Sequence, residues 1–328
     1  MILTPYEETI GNIAEDVRLG LITAAMNNDK LLILCRREGL TRRLINKLLG
    51  NRHQIARAVT RLQSPYIRQI HPLTRFVFEK GLDWLWLFLY PVYRLLRKLS
   101  GGTVGNSLRM PTFGRSKLVP RWTNGFKIEP PTLPKITKPF RKKYVVLHVR
   151  TPGFYGEDQA LSGYRSADIM NYLPAIEIIT DAGLWVVRIG DKSMPDLPPM
   201  KNVIDYSFGP DKSDLMDFYL IENCEFYMGM DSGPMDVARL FQKRMYLTNV
   251  TNWTLAAALT SDHHVLFKRF YNKHSGAMME MTDVIRAMEN PHLAVSGFNS
   301  LACSVNIVDN TPQEIADGLK QFLSGVQL

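Results

Sequence analysis

Two kinds of hydrophobic spacing divide the chain. From Tyr144 onward, short apolar runs (YVVLHV, LWVVRI, VIDYS, EFYMGM, RMYLTN) alternate with stretches of helical spacing at about 167–181, 213–222 and 234–241. The short runs read as strands buried on both faces and the longer stretches as helices. Their regular alternation predicts an α/β domain with a parallel, doubly wound sheet. A last helix is predicted to open at Thr311-Pro312-Gln313-Glu314, a capping box with proline at the first helical position, and to run to about Leu323.

Before Tyr144 the pattern is less regular. A short ILT strand, a loop ending at Gly11-Asn12, a periodic stretch to Met26 and the run Leu31-Leu32-Ile33-Leu34 read as one βαβ unit. Residues 40–80, rich in Arg, Leu and Ile, read as exposed basic helices. Residues 81–100, GLDWLWLFLYPVYRLLRKLS, hold about fifteen apolar positions broken by Pro91, short of the roughly 20 a bilayer crossing needs. Trp84, Trp86, Tyr90 and Tyr93 followed by Arg94, Arg97 and Lys98 fit a segment lying at a membrane interface, and equally a buried or interdomain helix. The many Pro and Gly of 100–143 read as a connecting region. The expected division is an N-terminal domain over 1–125, a linker over 126–143 and a C-terminal domain over 144–328.

Charge sharpens that division. Residues 1–143 carry 26 Lys and Arg against 9 Asp and Glu, a net of +17, whereas the remainder carries 14 against 22, a net of −8. The basic half would attract anionic lipid, nucleic acid or an acidic acceptor, but no RNA- or DNA-binding signature is present. Cys35, Cys224 and Cys303 make neither a metal pattern nor a disulfide framework, and the first residues lack a signal peptide's cationic and apolar regions. The expected location is the cytoplasm, at the inner face of the cytoplasmic membrane if the 81–98 segment binds there.

In an open α/β sheet, ligands bind beyond the carboxyl ends of the strands. Three predicted strands end in polar or glycine-bearing tips: His148-Val149-Arg150, Arg188-Ile189-Gly190-Asp191 and Asp231-Ser232-Gly233-Pro234. At the last, Ser232 is placed to cap a helix, Gly233 lets a ligand approach the backbone, and Pro234 occupies a position needing no N–H. The positive end of the helix dipole then faces outward, as a phosphate seat requires. Arg150 adds a planar cation suited to a diphosphate, and His148 a nearby donor. The loop 151–166 is long for a βα connection and carries glycines that would allow closure over a substrate. Its Arg165 would reach the same phosphates or pair with Asp168.

DSGPMDVA, residues 231–238, resembles the DSGPxHxA segment of ADP-heptose-using lipopolysaccharide heptosyltransferases. HVR, residues 148–150, resembles the His-x-Arg segment of O-, α-1,6- and nodulation-type fucosyltransferases. The ordered set HVR, YRSADIMNYLPAI, GLWVVRIGD, IDYS, FYMGMDSGP and NTPQEI is similar to a bacterial family of glycosyltransferases associated with surface-polysaccharide synthesis, over about 144–324. The resemblance implies a GT-B fold, two Rossmann-like domains facing a cleft, with a nucleotide-sugar donor held by the C-terminal one. Arg150 and His148 would contact its diphosphate, the Ser232 and Gly233 amides a phosphate, and Gly190 and Asp191 the region of the nucleoside. Where the heptosyltransferase segment has His, this chain has Asp236; a carboxylate aimed at phosphate is unfavourable, so ADP-heptose fits poorly as donor.

Inverting sugar transfer needs a base for the acceptor hydroxyl and charge stabilisation for the departing nucleoside diphosphate. Heptosyltransferase-like proteins carry an acid after the first strand, which implies Glu15 or Asp16 as the base. The same residues also fit first-turn acids that stabilise a helix dipole. With no DxD pair and no close His/Cys ligand set, no cofactor or metal is expected; adjacent His263 and His264 would face opposite ways on a strand. The expected partners are the nucleotide-sugar donor, a surface-glycan or lipid-linked acceptor and an anionic membrane surface. Two other functions remain open at this point: a UDP-sugar epimerase of the same fold, and a non-catalytic nucleotide- or polyanion-binding adaptor.

Overall fold

A computed structural model describes residues 2–3, 10–26, 28, 30–33, 62–65, 67, 128–133, 142–151, 163–210, 212–251, 263–287, 301 and 304–325. Strand β1 (Ile2–Leu3), helix α1 (Ile10–Met26) and strand β2 (Leu32–Ile33) form the expected βαβ unit, with Ile2 paired to Leu32 and Leu3 to Ile33 in parallel. The helix starts at Ile10, earlier than the expected loop end at Gly11-Asn12, because the buried stripe Ile13, Ala14, Val17, Leu21 is already led by Ile10. Of the 40–80 region, the described residues pair as extended chain rather than helix: Gln63 with Thr132 antiparallel, Ile67 with Leu31 in parallel. The 81–98 segment lies outside the described residues. No helix among those residues is long and apolar enough to cross a membrane.

Strands β3 (Tyr144–His148), β4 (Trp185–Arg188), β5 (Val203–Asp205), β6 (Tyr227–Gly229), β7 (Met245–Val250) and β8 (His264–Phe267) form one six-stranded sheet. Every pair is parallel and the order is β5-β4-β3-β6-β7-β8. That is the strand order of dinucleotide-binding folds, and it reverses direction between β3 and β6. The expected doubly wound sheet is therefore present.

Period-2 alternation sends successive residues of β3 to opposite faces. Tyr144 and Val146 join a core with α1, α3 (Asp214–Asn223) and α4 (Gly233–Leu240). Val145 and Leu147 join a second core with α2 (Leu173–Asp181) and α6 (Pro312–Ser324). The 3-10 turn Ile169–Tyr172 precedes α2, so the helix expected from about 167 begins later, behind the Asp168 cap. On α6 the capping box forms as expected: Thr311 Oγ1 accepts from Glu314 N at 3.2 Å, and Glu314 Oε2 accepts from Thr311 N at 2.7 Å.

Beyond β8 the chain makes a feature that the sequence pattern does not predict. Strands β9 (Arg269–Asn272), β10 (Met278–Met279) and β11 (Val305–Val308) form an antiparallel sheet in the order β10-β9-β11. With α5 (Met281–Ala287) it encloses a small core of Phe270, Val284, Leu301 and Val305.

Candidate functional site

The reversal point is built from the tips of β3 and β6, which pair His148 with Gly229. A Cβ on Gly229 would lie 2.6 Å from the His148 carbonyl oxygen, so the close approach of the two tips requires glycine there. Three residues on, Ser232 occupies the N-cap of α4 in extended conformation, with Pro234 in the first turn. The expectation that its hydroxyl caps the helix is corrected: Oγ makes no bond to a helix amide and instead lies 2.9 Å from His148 Nδ1. Met235 N reaches the Ser232 carbonyl at 3.0 Å. The hydroxyl is diverted because the histidine tip of the neighbouring strand offers a buried polar partner.

His148 is buried, and burial is the main reason its pKa falls to about 4. Asp191 pulls it upward, while the charges of Lys212, Arg188 and Arg150 add to the depression. The ring is thus neutral at pH 7 and can either accept from or donate to the serine hydroxyl. These charges sit on the β3 tip (Arg150), on the β4 tip (Arg188 and Asp191) and just before α3 (Lys212), around an uncharged imidazole.

Arg150 is buried two residues beyond the end of β3. Its carbonyl accepts from Ala167 N at 3.0 Å, folding the end of the 151–166 loop back over the tip. Arg165, in the 3-10 turn Gly163–Arg165, donates from Nη2 to the Asp231 carbonyl at 2.5 Å. Asp168, the carboxylate it was expected to pair with, accepts instead from Met170 N at 2.9 Å. Asp231 is buried, and its Oδ2 accepts from Thr251 Oγ1 at 3.1 Å. Lys268 completes the brace: Nζ donates to the Ser166 carbonyl and to Asp309 Oδ1, each at 2.6 Å. Residues 152–162, including Asp158, lie outside the described residues.

The structure therefore brings His148, Arg150, Arg165, Asp231, Ser232, Gly233 and Pro234 together at the reversal point. Gly190 and Asp191 sit on the adjacent β4 tip. A Cβ on Gly190 would collide with the Met194 side chain and lie 3.2 Å from Ser207 Oγ. Asp191 Oδ1 accepts from Ser193 N at 2.8 Å, closing an Asx turn.

The rim also holds polar groups to which the sequence pattern assigns no individual role, Arg188 being named only as part of the β4 tip. Arg188 is fully buried, and its Nη1 donates to the Pro195 carbonyl and to Asp205 Oδ2, each at 2.7 Å. Arg188 Nε and Nη2, Asp205 Oδ1 and Ser207 Oγ have no hydrogen-bond partner among the described residues. Thr151 Oγ1, next to Arg150, is buried in the same state. An arginine inside an otherwise apolar strand is the one sequence signal that marked this group. Lys212 pairs with Asp217, whose carboxyl pKa is raised to about 6 by burial, against the pull of the lysine.

Glu15 and Asp16 occupy a different place. Both are buried in the second turn of α1, past the first-turn amides. Glu15 holds Arg18 through both carboxylate oxygens at 2.7 and 2.8 Å, and its Oε2 lies 3.4 Å from Arg239 Nη1 on α4. Arg239 also reaches Asp236 at 3.3 Å. Burial opposes ionisation of Arg18, yet Glu15 and Asp236 hold its pKa above the usual value. Asp236, the residue that departs from the heptosyltransferase-like segment, is thus engaged with arginine on the α1 side of α4. His263 and His264 diverge: His263 Nδ1 accepts from Met245 N at 3.1 Å, and the His264 ring packs 5.5 Å from that of Tyr246. Among the described residues, no group of three or more His, Cys, Asp or Glu side chains could hold a metal ion.

No family model and no curated protein matches the sequence. Among solved structures, the chain is similar to the dodecameric iron-containing heptosyltransferase TibC in complex with ADP-D-β-D-heptose. Identity is 10%, the TM-score 0.44, and the match covers 98% of this chain and 75% of that one. TibC from enterotoxigenic E. coli gives 10% identity and a TM-score of 0.44 over 99% and 78%. E. coli ADP-heptose lipopolysaccharide heptosyltransferase II gives 10% and 0.39 over 98% and 98%.

Proposed function

We propose that this protein is a GT-B glycosyltransferase that moves a sugar from a nucleoside-diphosphate donor to a surface-glycan or lipid-linked acceptor, with inversion and without a metal. The observation that carries the reading is the convergence of His148, Arg150, Arg165 and the Ser232 N-cap of α4 on the point where strand order reverses. Open α/β sheets bind nucleotides at such points, and two arginines beside a helix N-terminus fit the charge and shape of a diphosphate. The same groups would stabilise the charge that develops on the leaving diphosphate, the task a metal performs in other enzymes.

On this reading residues 144–328 form the donor domain, 126–143 a linker and 1–125 an acceptor-side domain, whose basic 81–98 segment rests on the anionic inner face of the cytoplasmic membrane. Gly190 and Asp191 lie toward the nucleoside. Glu15 and Asp16 are the acids of the first helix, and Glu15 has an ion-pair partner set that fits anchoring better than proton abstraction. The reading is tested by melting the protein with ADP, GDP and UDP in parallel. Stabilisation by one diphosphate, abolished in Arg150→Ala, is the expected result. Absence of stabilisation by all of them, alongside salt-sensitive binding to nucleic acid, would favour the adaptor.

A further inference from the structure

The first turns of α1 and α4 touch through glycine. A Cβ on Gly11 would lie 2.6 Å from Gly233 Cα and 3.3 Å from the Gly233 carbonyl oxygen, and one on Gly233 would lie 2.7 Å from Ile10 Cγ2 and 3.0 Å from Gly11 N. Contact this tight leaves no room for a side chain on either helix, so the position of one first turn dictates that of the other. Beyond the contact, the helices are fastened by the buried carboxylate of Glu15 between Arg18 and Arg239.

Asp236 fits the same arrangement. Its Oδ2 lies where a Cβ on Gly11 would come within 2.8 Å, and so stands beside the positive end of α1. A carboxylate is favourable there. The acid that would be unwelcome at a phosphate is turned toward the other helix and toward Arg239.

We infer that Gly11, supported by the Glu15–Arg239 ion pair, is a positioning residue for the Ser232–Gly233 turn, so that a helix of the N-terminal βαβ unit sets the register of the anion seat formed by the C-terminal sheet. This rests on the reading of that turn as a diphosphate seat. In the turn Ser232 N already donates to the Met230 carbonyl at 2.9 Å and Pro234 has no N–H, so Gly233 N is the backbone donor left for the seat; no rotamer change can re-aim it, and a displacement of the first turn of α4 passes directly to a bound phosphate. Through this contact, donor binding and the placement of the N-terminal unit are linked, and each must favour the other to the same degree.

The test uses inorganic pyrophosphate, which probes the seat without a nucleoside, and measures its affinity by titration calorimetry with melting temperature as a second readout. Gly11→Ala improves helix propensity within α1, so a loss of affinity in that variant reports the contact and not the helix. Gly318→Ala is the control: it places a Cβ 2.5 Å from the Tyr246 hydroxyl, on the opposite face of the sheet from α1. Gly11→Ala is expected to bind pyrophosphate roughly tenfold more weakly than wild type, because small misplacements of binding groups cost heavily. Gly318→Ala is expected to melt earlier yet stay within about twofold of wild type, as independent distant sites do. Glu15→Gln, which adds no bulk, should weaken binding in the same direction and stands in if Gly11→Ala does not fold. Wild-type affinity in folded Gly11→Ala or Glu15→Gln, or an equal loss in Gly318→Ala, overturns the inference while leaving the seat intact. No binding of pyrophosphate or any nucleoside diphosphate by wild type removes the seat itself and the functional reading with it.

Discussion

Ser232 Oγ stands 2.9 Å from His148 Nδ1, so the one serine of the α4 N-cap is tied to the neighbouring strand tip across the reversal of strand order. The bond is buried and its histidine neutral. Ser232→Ala is expected to lower stability by about 1–2 kcal/mol in urea unfolding, since it leaves a buried ring nitrogen without its partner. It should also weaken nucleoside-diphosphate binding, because the bond fastens the turn to the β3 tip. Unchanged affinity in a folded Ser232→Ala protein would show that the bond serves packing alone.

The same histidine sets a pH dependence. Its folded pKa of about 4 lies below the value near 6.5 of an exposed histidine, so between these limits the unfolded chain binds more protons. Its contribution is therefore complete above pH 6.5 and is lost as pH falls toward 4, at a cost on the order of 3 kcal/mol. Asp217, with its pKa raised to about 6, acts oppositely across the overlapping range. His148→Gln should consequently lose less stability than wild type between pH 7 and 4.5 when both are unfolded in urea.

Gly229 is the steric condition for the paired tips. Gly229→Ala would press a methyl group onto the His148 carbonyl oxygen at 2.6 Å, and backbone has little freedom to retreat. A loss of about 1–3 kcal/mol is expected, the usual penalty for overpacking. Denaturant titration measures it, and a neutral result would mean that β3 and β6 separate more readily than their register implies.

For the first-helix acids, Glu15→Ala should be the more damaging, since it takes the carboxylate from the partly buried Arg18 and leaves the buried Arg239 with Asp236 alone of its two ion-pair partners. Losses of about 3–5 kcal/mol are typical when one member of a buried ion pair is removed. Glu15→Gln and Asp16→Asn separate stability and binding from chemistry: a base would lose transfer activity at saturating donor even where the melting temperature holds. Full activity in both variants would exclude both acids as the base.

Residues 81–98 are expected to carry the protein to anionic liposomes in a sedimentation assay, less so at high salt. Changing Trp84 and Trp86 to Ser should reduce the bound fraction. Equal sedimentation of the variant would place the interfacial role elsewhere.

What could be read from the residues was whatever depends on near neighbours in the chain. YVVLHV and RMYLTN declare strands by composition, and Thr311 with Glu314 declares a helix start because both partners of the box lie within one turn. The three strand tips were legible for the same reason, since the sheet rule converts a local strand end into a shared rim. Choices of distant partner were not legible. Ser232 had the conformation of a cap but gave its hydroxyl to a residue 84 positions away. Lys268 looks like any surface lysine in sequence, yet it ties Ser166 to Asp309. Likewise Glu15 and Asp236 each keep a local i,i+3 partner, Arg18 and Arg239, whereas the Glu15–Arg239 contact that ties α1 to α4 joins distant parts of the chain.

Helix α6 covers the sheet face holding Phe226 and Tyr246 with Ile315, Leu319 and Phe322, while α1 lies in the core of the opposite face. During synthesis, α1 emerges long before α4 exists to receive it, and the part of one sheet face around Phe226 and Tyr246 stays wet until residues 312–324 leave the ribosome. A nascent chain halted before Thr311 would thus present that patch to chaperones or to other chains.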